Sequence, residues 1–571
     1  MKKILSKILK KAIEELEEPF AKFEFSLEEI ESKIEIPPSI EMGDFAFPCF
    51  VLASKLKSAP HDIALALRAK IGQPKKFSDI QTSGAYLNFF IDRKSLALNI
   101  LKEIEKQKDN FGRNQIPPEK IMVEFPSPNT NKPLHLGHLR NMAIGESVSR
   151  ILEFSNAKVI RVNLNNDRGI HICKSMLAYS KWGKNKKPSK KIKSDKLVGD
   201  FYVMFNNKLK KNKDLEIEVH EMLRKWEAGD KKTIALWKKM NKWAFDGFKK
   251  TYQNFGIKHD REYFESEIYT KGREIIIKGV EQNLFQKESD GAVSVDLEEQ
   301  GLGKKYLLRA DGTSVYVTQD IYLAQKKFKD FSLNKSIYIT GNEQIYHFAV
   351  LFYLLEKLRI GNAENLFHLS YGMVNLPEGK MKSREGTVVD ADDLIEKVQN
   401  LGKKELKTRQ KISKRELEKR SLQIALAAIK YMLLKVDIKK DTVFNPKESI
   451  SFEGDTGPYI QYTYARANSI LKKAKQKNIP LKICELNPHE TELIKKLSQF
   501  KETVSSSYRN LNPSLIASYS YQLAQLFNEF YHCCPVLGDK KEKFRLGLVN
   551  ATQQVLKNTL YLLGIEAIRE M

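Results

Sequence analysis

Between Ile121 and Val374 the chain alternates short apolar runs with amphipathic ones. "IMVEF" precedes "LGHLRNMAIGESVSRILEFS", and "KVIRVNL" follows. "KSIYITG" precedes "QIYHFAVLFYLLEKL", with "FHLSYGMV" beyond it. Strand followed by helix, repeated along one stretch, predicts a parallel sheet flanked by helices, an α/β fold.

The flanks have a different texture. Residues 1–112 mix helical patterns ("APHDIALALRAKI", "RKSLALNILKEIEKQ") with a strand-like "GAYLNFFID", and predict a small α+β domain. "NFGRNQIPPEK" supplies the Gly and Pro of a linker. The α/β domain is expected over 113–400, interrupted by an insertion at about 172–300 that carries the lysine tract "KWGKNKKPSKKIKSDK". That tract is too polar to pack and reads as a solvated loop or as an arm that meets phosphates. From the charged run "KKELKTRQKISKRELEKR" onward the pattern is helical, giving an all-α domain over 401–571.

Charge narrows the partners. Lys plus Arg number 97 against 71 Asp plus Glu, a net +26, which favours a polyanion such as nucleic acid. No apolar run approaches the roughly 18–20 residues of a membrane span. The opening "MKKILSKILKKAIEELEEPF" is an amphipathic helix rather than a signal peptide, so a cytoplasmic protein is expected. The five cysteines (Cys49, Cys173, Cys484, Cys533, Cys534) form no CxxC, so neither zinc nor any other structural metal is expected.

The loop Pro126–Pro133 joins the first strand to a helix read as starting near Leu134, and the helix opens on His135-Leu-Gly137-His138. Unpaired N–H groups at a helix start favour anions. His135 and His138, three residues apart, share one side of the first turn, and Gly137 leaves room for close approach. The arrangement suits a triphosphate. With ten histidines and 29 glycines in 571 residues, HxGH arises by chance in about one such chain in a hundred. The other phosphate cradles, GxxxxGK[ST] and GxGxxG, are absent.

HxGH after the first strand resembles the signature of class I aminoacyl-tRNA synthetases. "SPNTNKPLHLGHLRN" is similar to the SPN…KxxHxGHLR pattern of the arginyl family. "IEMGDFAFPCFVLA" and "GAYLNFF" resemble that family's N-terminal domain, "LRADGTSVYVTQDI" its catalytic core, and "GDTGPYIQYTYARANSI" and "LLGIEAIREM" its helical anticodon-binding domain. The resemblance implies a Rossmann-like catalytic domain that activates L-arginine with ATP, accompanied by Mg²⁺. It then transfers arginine to tRNA(Arg) as a monomer, activation requiring the tRNA.

The resemblance also assigns residues. His135, Gly137 and His138 would bind ATP, with Lys380, Met381, Lys382, Ser383 and Arg384 of "EGKMKSREG" forming the second signature loop. Arg384 departs from the family's KMSK pattern, so the pyrophosphate contact falls to Lys132 or Lys382. Glu124, Tyr316 and Asp320 would hold the guanidinium, and Asn129 and Gln344 the α-amino or carboxylate end. A carboxylate and an aromatic plane one helical turn apart, as at Asp320 and Tyr316, suit a planar guanidinium. Tyr86 and Asn88 would meet the tRNA's D-loop. Tyr459, Tyr462, Arg466, Asn528, Phe530 and Tyr531 would meet its anticodon.

Overall fold

The structure is a computed structural model. It describes residues 2–571 apart from 19, 21, 22, 39, 75, 184, 362, 378–388, 410, 411 and 475–484, and apart from the side chains of 40, 363 and 409. Lys380, Met381, Lys382, Ser383 and Arg384 therefore lie outside the described residues. The chain forms two compact units. One comprises Met1–Gln107, Lys475–Ser498 and Glu529–Ala551, the other Lys108–Ala474, Gln499–Asn528 and Thr552–Met571.

In the first unit, strands β1 (Phe45–Pro48), β2 (Phe77–Ser83) and β3 (Tyr86–Ile91) make an antiparallel sheet in the order β1-β3-β2. The β2–β3 turn uses Gly84 at φ 56°, a left-handed conformation in which a Cβ would be strained. Leu5, Leu9, Phe47, Ile63, Leu67, Leu87 and Phe89 bring the helices Lys2–Glu14 and Pro60–Ile71 and the sheet into one core.

The second unit contains the parallel sheet. Strands β4 (Lys120–Glu124), β5 (Lys158–Asn165), β6 (Arg261–Phe264), β10 (Lys335–Gly341) and β11 (Leu366–Tyr371) run in the order β11-β10-β4-β5-β6. Ile121, Met122 and Val123 of β4 are all buried, as a central strand covered on both faces requires. The chain winds one way from β4 through β5 to β6 and the other way to β10 and β11. The carboxyl ends of β4 and β10 therefore flank the point where strand order reverses, the crevice where such sheets bind ligands. The outer strand β6 lies inside the stretch read as an insertion.

Helices Ile170–Trp182, Ser194–Leu209, Asp214–Glu227 and Lys231–Phe255 fill most of the insertion around Met176, Phe201, Phe205, Val219 and Met240. A small antiparallel sheet follows, of β7 (Gln286–Lys287), β8 (Val293–Val295) and β9 (Lys305–Leu308). Beyond 390 the described chain is helical except for β13 (Thr442–Val443), which pairs in parallel with β12 (Val374–Asn375). No helix among the described residues is long and apolar enough to cross a membrane.

The helix after β4, Leu136–Phe154, is buried almost all round, which its mixed apolar and small residues allow. Gly145 sits against the ring of Phe125, where a Cβ would lie 2.3 Å from Cγ. Phe125 has left β4 and locks the helix to the sheet. Gly145→Val is expected to destabilise the protein by about 1–3 kcal/mol through overpacking, read as a lower denaturant midpoint at unchanged slope.

Candidate active site

His135 is the N-cap of the helix Leu136–Phe154, with extended backbone (φ −134°, ψ 177°). Its Nδ1 accepts the N–H of Gly137 at 3.1 Å, and its own N–H donates to Nδ1 of His138 at 3.1 Å. The helix thus starts two residues later than the sequence predicts, because the first histidine caps it instead of joining it. Two imidazoles here do the work that Ser and Glu do in a capping box. The consequence is chemical. A nitrogen that accepts an N–H carries no proton, so each neutral ring keeps its hydrogen on Nε2. Burial drives His135 down to about 3, with Lys132 adding to the drop. His138 is driven well below the ordinary range by burial, then by His135 and Lys132. The rings lie 3.9 Å apart at 50°, two neutral donors at a helix start.

The loop before them is held by β5 and its extension. Ser127 N–H donates to Oδ1 of Asn163 at 3.1 Å, Thr130 N–H to the Asn166 carbonyl at 3.1 Å, and Asn166 N–H to the Pro128 carbonyl at 3.0 Å. Asn129 is left exposed at the tip. Lys132 is half-buried, and burial lowers its pKa. Among the described residues no carboxylate pairs with it.

The segments on either side of 378–388 are both fastened to the histidine turn. Leu136 N–H donates to the Val389 carbonyl at 3.2 Å and Ala391 N–H to the Leu134 carbonyl at 2.9 Å. On the other side, the fully buried Arg140 donates to the carbonyls of Met373 (2.8 Å) and Lys440 (2.7 Å). Asp390 caps the helix Ala391–Arg409 through the N–H groups of Asp392 and Asp393, and burial pushes its carboxyl up to about 6. Lys193, at the end of the tract read as too polar to pack, joins Asp392, Asp195 (3.0 Å) and Thr251 (2.6 Å) in a half-buried cluster. That tract is thus solvated only in part, because two carboxylates neutralise Lys193.

Carboxylates gather beyond the carboxyl ends of β4 and β6. Glu124, at the carboxyl end of β4, is buried and paired with the buried Lys327, whose ammonium lies 4.7 Å from the Tyr338 ring. Asp320 accepts Nε2–H of His347 at 2.7 Å. Tyr316, one turn before Asp320 on the helix Tyr316–Phe331, is 71% exposed. Gln344 ends a 3₁₀ turn directly after β10 and is exposed. Glu265, at the end of β6, is pushed up to about 7 by burial, Asp167 and Asp320 adding to the rise and Arg168 opposing it. Lys327, His347, Glu265 and Arg140 escaped the sequence reading. Only Lys327 left a local signal, seven residues after Asp320 on the same helical face. Among the described residues no cluster of three or more His, Cys, Asp or Glu is placed to hold a metal ion.

The remaining predicted residues are distributed between the two units. In the first, Tyr86 meets Phe50 edge-to-face at 5.8 Å, and Phe50, which sequence reasoning missed, is 49% exposed. Asn88 is buried within the sheet. Phe530 is fully buried, which corrects its reading as a base-stacking residue: with Phe527 it follows the core side of its helix. Tyr531 is exposed. In the second unit, Asn528 accepts from Arg466 and donates to Tyr459 Oη at 2.9 Å, while the Arg466 guanidinium lies 4.9 Å from the Tyr462 ring. Those four side chains form one polar cluster.

Three family models match the chain. The catalytic domain of class I tRNA synthetases (R) covers residues 100–446, the DALR anticodon binding domain 460–571, and the arginyl tRNA synthetase N terminal domain 2–91. An arginine–tRNA ligase of Treponema denticola is 49% identical over 559 residues, 94% of each chain. That of Borrelia hermsii is 44% identical over 587 residues, covering 100% of this chain and 99% of its own. The solved arginyl-tRNA synthetase of Thermus thermophilus superposes with a TM-score of 0.83 at 25% identity, covering 100% of both chains.

The reciprocal cap makes a spectroscopic prediction. Nitrogen-detected NMR should find both imidazoles of the histidine turn neutral and Nε2-protonated from about pH 5 to 8. Histidines held below their ordinary pKa leave the unfolded chain binding more protons, so their contribution to stability falls as pH drops below the unfolded value. A histidine of this pair titrating near neutrality would refute the assignment.

Proposed function

The chain belongs to the arginyl-tRNA synthetase family, and on that premise we propose how its own residues divide the work. It is a class I aminoacyl-tRNA synthetase, an arginine–tRNA ligase. The carboxylate of arginine attacks the α-phosphorus of ATP, giving arginyl-adenylate and pyrophosphate. A hydroxyl of the 3′-terminal adenosine of tRNA(Arg) then takes the arginyl group and releases AMP. The observation that carries the assignment of residues is the meeting, at one strand-order reversal, of two neutral imidazole donors with a carboxylate pocket.

His135 and His138 direct Nε2–H groups at the phosphate oxygens that gain charge in the transition state, and Gly137 lets the nucleotide approach the backbone. Lys132, half-buried without a described counter-ion, receives the departing pyrophosphate. Lys380, Met381, Lys382, Ser383 and Arg384 add contacts from the second signature loop, Lys382 sharing the load with Lys132. Mg²⁺ is read as part of the nucleotide substrate, carried on phosphate oxygens. Glu124, Tyr316 and Asp320 take the guanidinium, with Glu265 adding to the negative potential. Asn129 and Gln344 take the α-amino and carboxylate end. No side chain forms a covalent intermediate, so catalysis rests on positioning and charge stabilisation.

The functional division is 1–112 for tRNA binding through Tyr86 and Asn88, 113–400 for catalysis, and 401–571 for the anticodon through Tyr459, Tyr462, Arg466, Asn528 and Tyr531. The protein is read as a cytoplasmic monomer.

Arginine-dependent ATP–pyrophosphate exchange tests the assignment. Exchange is expected only with tRNA(Arg) present, and strong exchange without tRNA would sink the claim that tRNA completes the site. His138→Ala should lower exchange on the order of 100- to 1000-fold while tRNA affinity barely changes. An equal loss of both would mark the histidine as structural. Lys132→Ala should lower exchange by a comparable factor, and an unchanged rate would shift the pyrophosphate contact to Lys382.

A further inference from the structure

The two carboxylates assigned to the guanidinium do not stand equal. Glu124 is committed to Lys327, and both side chains are buried (8% and 1% exposed). Asp320 is reachable: its side chain is 28% exposed and its structural partner is an imidazole, not an ammonium. That imidazole belongs to His347, in the first turn of the helix Ile345–Lys357 and three residues past Gln344. The neighbouring helix residue Phe348 stacks on His368 of β11 at 4.4 Å, which fixes the turn that carries His347. We propose that His347 is a positioning residue for arginine: its Nε2–H holds the Asp320 carboxylate in the orientation that receives the guanidinium, and a protonated His347 competes for the same carboxylate. The inference rests on the reading of Asp320 as a guanidinium acceptor.

The sign follows from the neighbours. The groups around the pair are His368 from β11, Glu265 from the end of β6, Tyr338 from β10, and the Glu124–Lys327 pair. His368 is held neutral at about 4 by burial, with His347 adding to the drop. Hydrogen bonding to Asp320 raises His347 above its ordinary value, against the opposing effect of burial. As pH rises through that value the imidazole loses its positive charge and keeps its N–H. Asp320 stays oriented but sheds a competing cation, so arginine binds more tightly. Glu265 also titrates in this range and strengthens binding as it ionises. Its contribution is common to wild type and to His347 variants and cancels in their ratio.

The test measures KM for arginine and kcat in aminoacylation from about pH 5.5 to 8.5 for wild type, His347→Gln, His347→Phe and Asp320→Asn. Glutamine offers an N–H but cannot titrate. At the alkaline end His347→Gln should keep a KM near wild type, whereas His347→Phe should raise it about tenfold with kcat changed far less. Across the range the fall in KM should be shallower in His347→Gln than in wild type by about three- to tenfold. Equal slopes in the two proteins, or a His347→Phe with wild-type KM throughout, would overturn the role of His347. The underlying reading fails separately, if Asp320→Asn leaves KM for arginine unchanged. KM for ATP serves as the folding control and is expected to move in none of the variants.

Discussion

Two hydrogen bonds from the backbone into imidazole nitrogens organise the catalytic end of this protein. They cap the Leu136–Phe154 helix, which needs partners for its first N–H groups in any case. By occupying both Nδ1 atoms, they also leave both Nε2 hydrogens on the free side of the rings. Protonating either ring at Nδ1 would set a hydrogen against a donor that already points there. The neutral state is therefore imposed by geometry as well as by burial. A histidine pair held this way offers donors without positive charge, so it can stabilise charge that develops on phosphate while taking no part in proton transfer.

The same helix turn is the fixed point for what surrounds it. Backbone pairing to Val389 and Ala391, and the three carbonyls gathered by Arg140, tie segments more than 200 residues downstream to the histidines. Arg140 is fully buried and pairs with no carboxylate among the described residues; the carbonyls of Met373, Ile438 and Lys440 accept its N–H groups, and the charges of Asp441 and Asp437 favour its own against burial. Such a cation is costly to bury, and its position makes sense of the cost. It holds β12 and the segment leading to β13 against the turn that carries the two histidines. The Lys193–Asp195–Asp392 cluster joins the insertion to the helix that Asp390 caps, so the insertion is fastened to the catalytic frame and is not a loose appendage.

What could be read in advance followed local periodicity. "KSIYITG" is β10 to the residue, because an apolar run bounded by a polar residue and a turn has only one strand to offer. "IMVEF" is shifted by one residue against β4, since the strand begins at Lys120 and Phe125 leaves it to meet Gly145, a contact that depends on a residue twenty positions away. The cap at His135 was missed because histidine is not among the residues that usually cap helices. Lys327 with Glu124, and His347 with Asp320, are pairs made across the sheet and between helices. Their separations of 203 and 27 residues leave no trace in spacing. Phe530 shows the converse failure: an aromatic residue at helical spacing looked like a base-stacking surface and is core.

A protein of net charge +26 that must bind both a polyanion and a cationic amino acid faces opposite electrostatic demands. Screening separates them. At physiological ionic strength the field of exposed lysines decays over roughly 8 Å of solvent. It can gather a nucleic acid at the surface while contributing little inside a recessed pocket, where nearby charges dominate. Glu124, Glu265, Asp167 and Asp320 set the sign there, but four unneutralised carboxylates could not all remain ionised so close together. Lys327 neutralises one permanently, Arg168 opposes the rise of Glu265, and His347 attends to the most accessible. On the proposed reading of the site, these carboxylates stand just short of full negative charge, and a guanidinium would supply the cation that completes them.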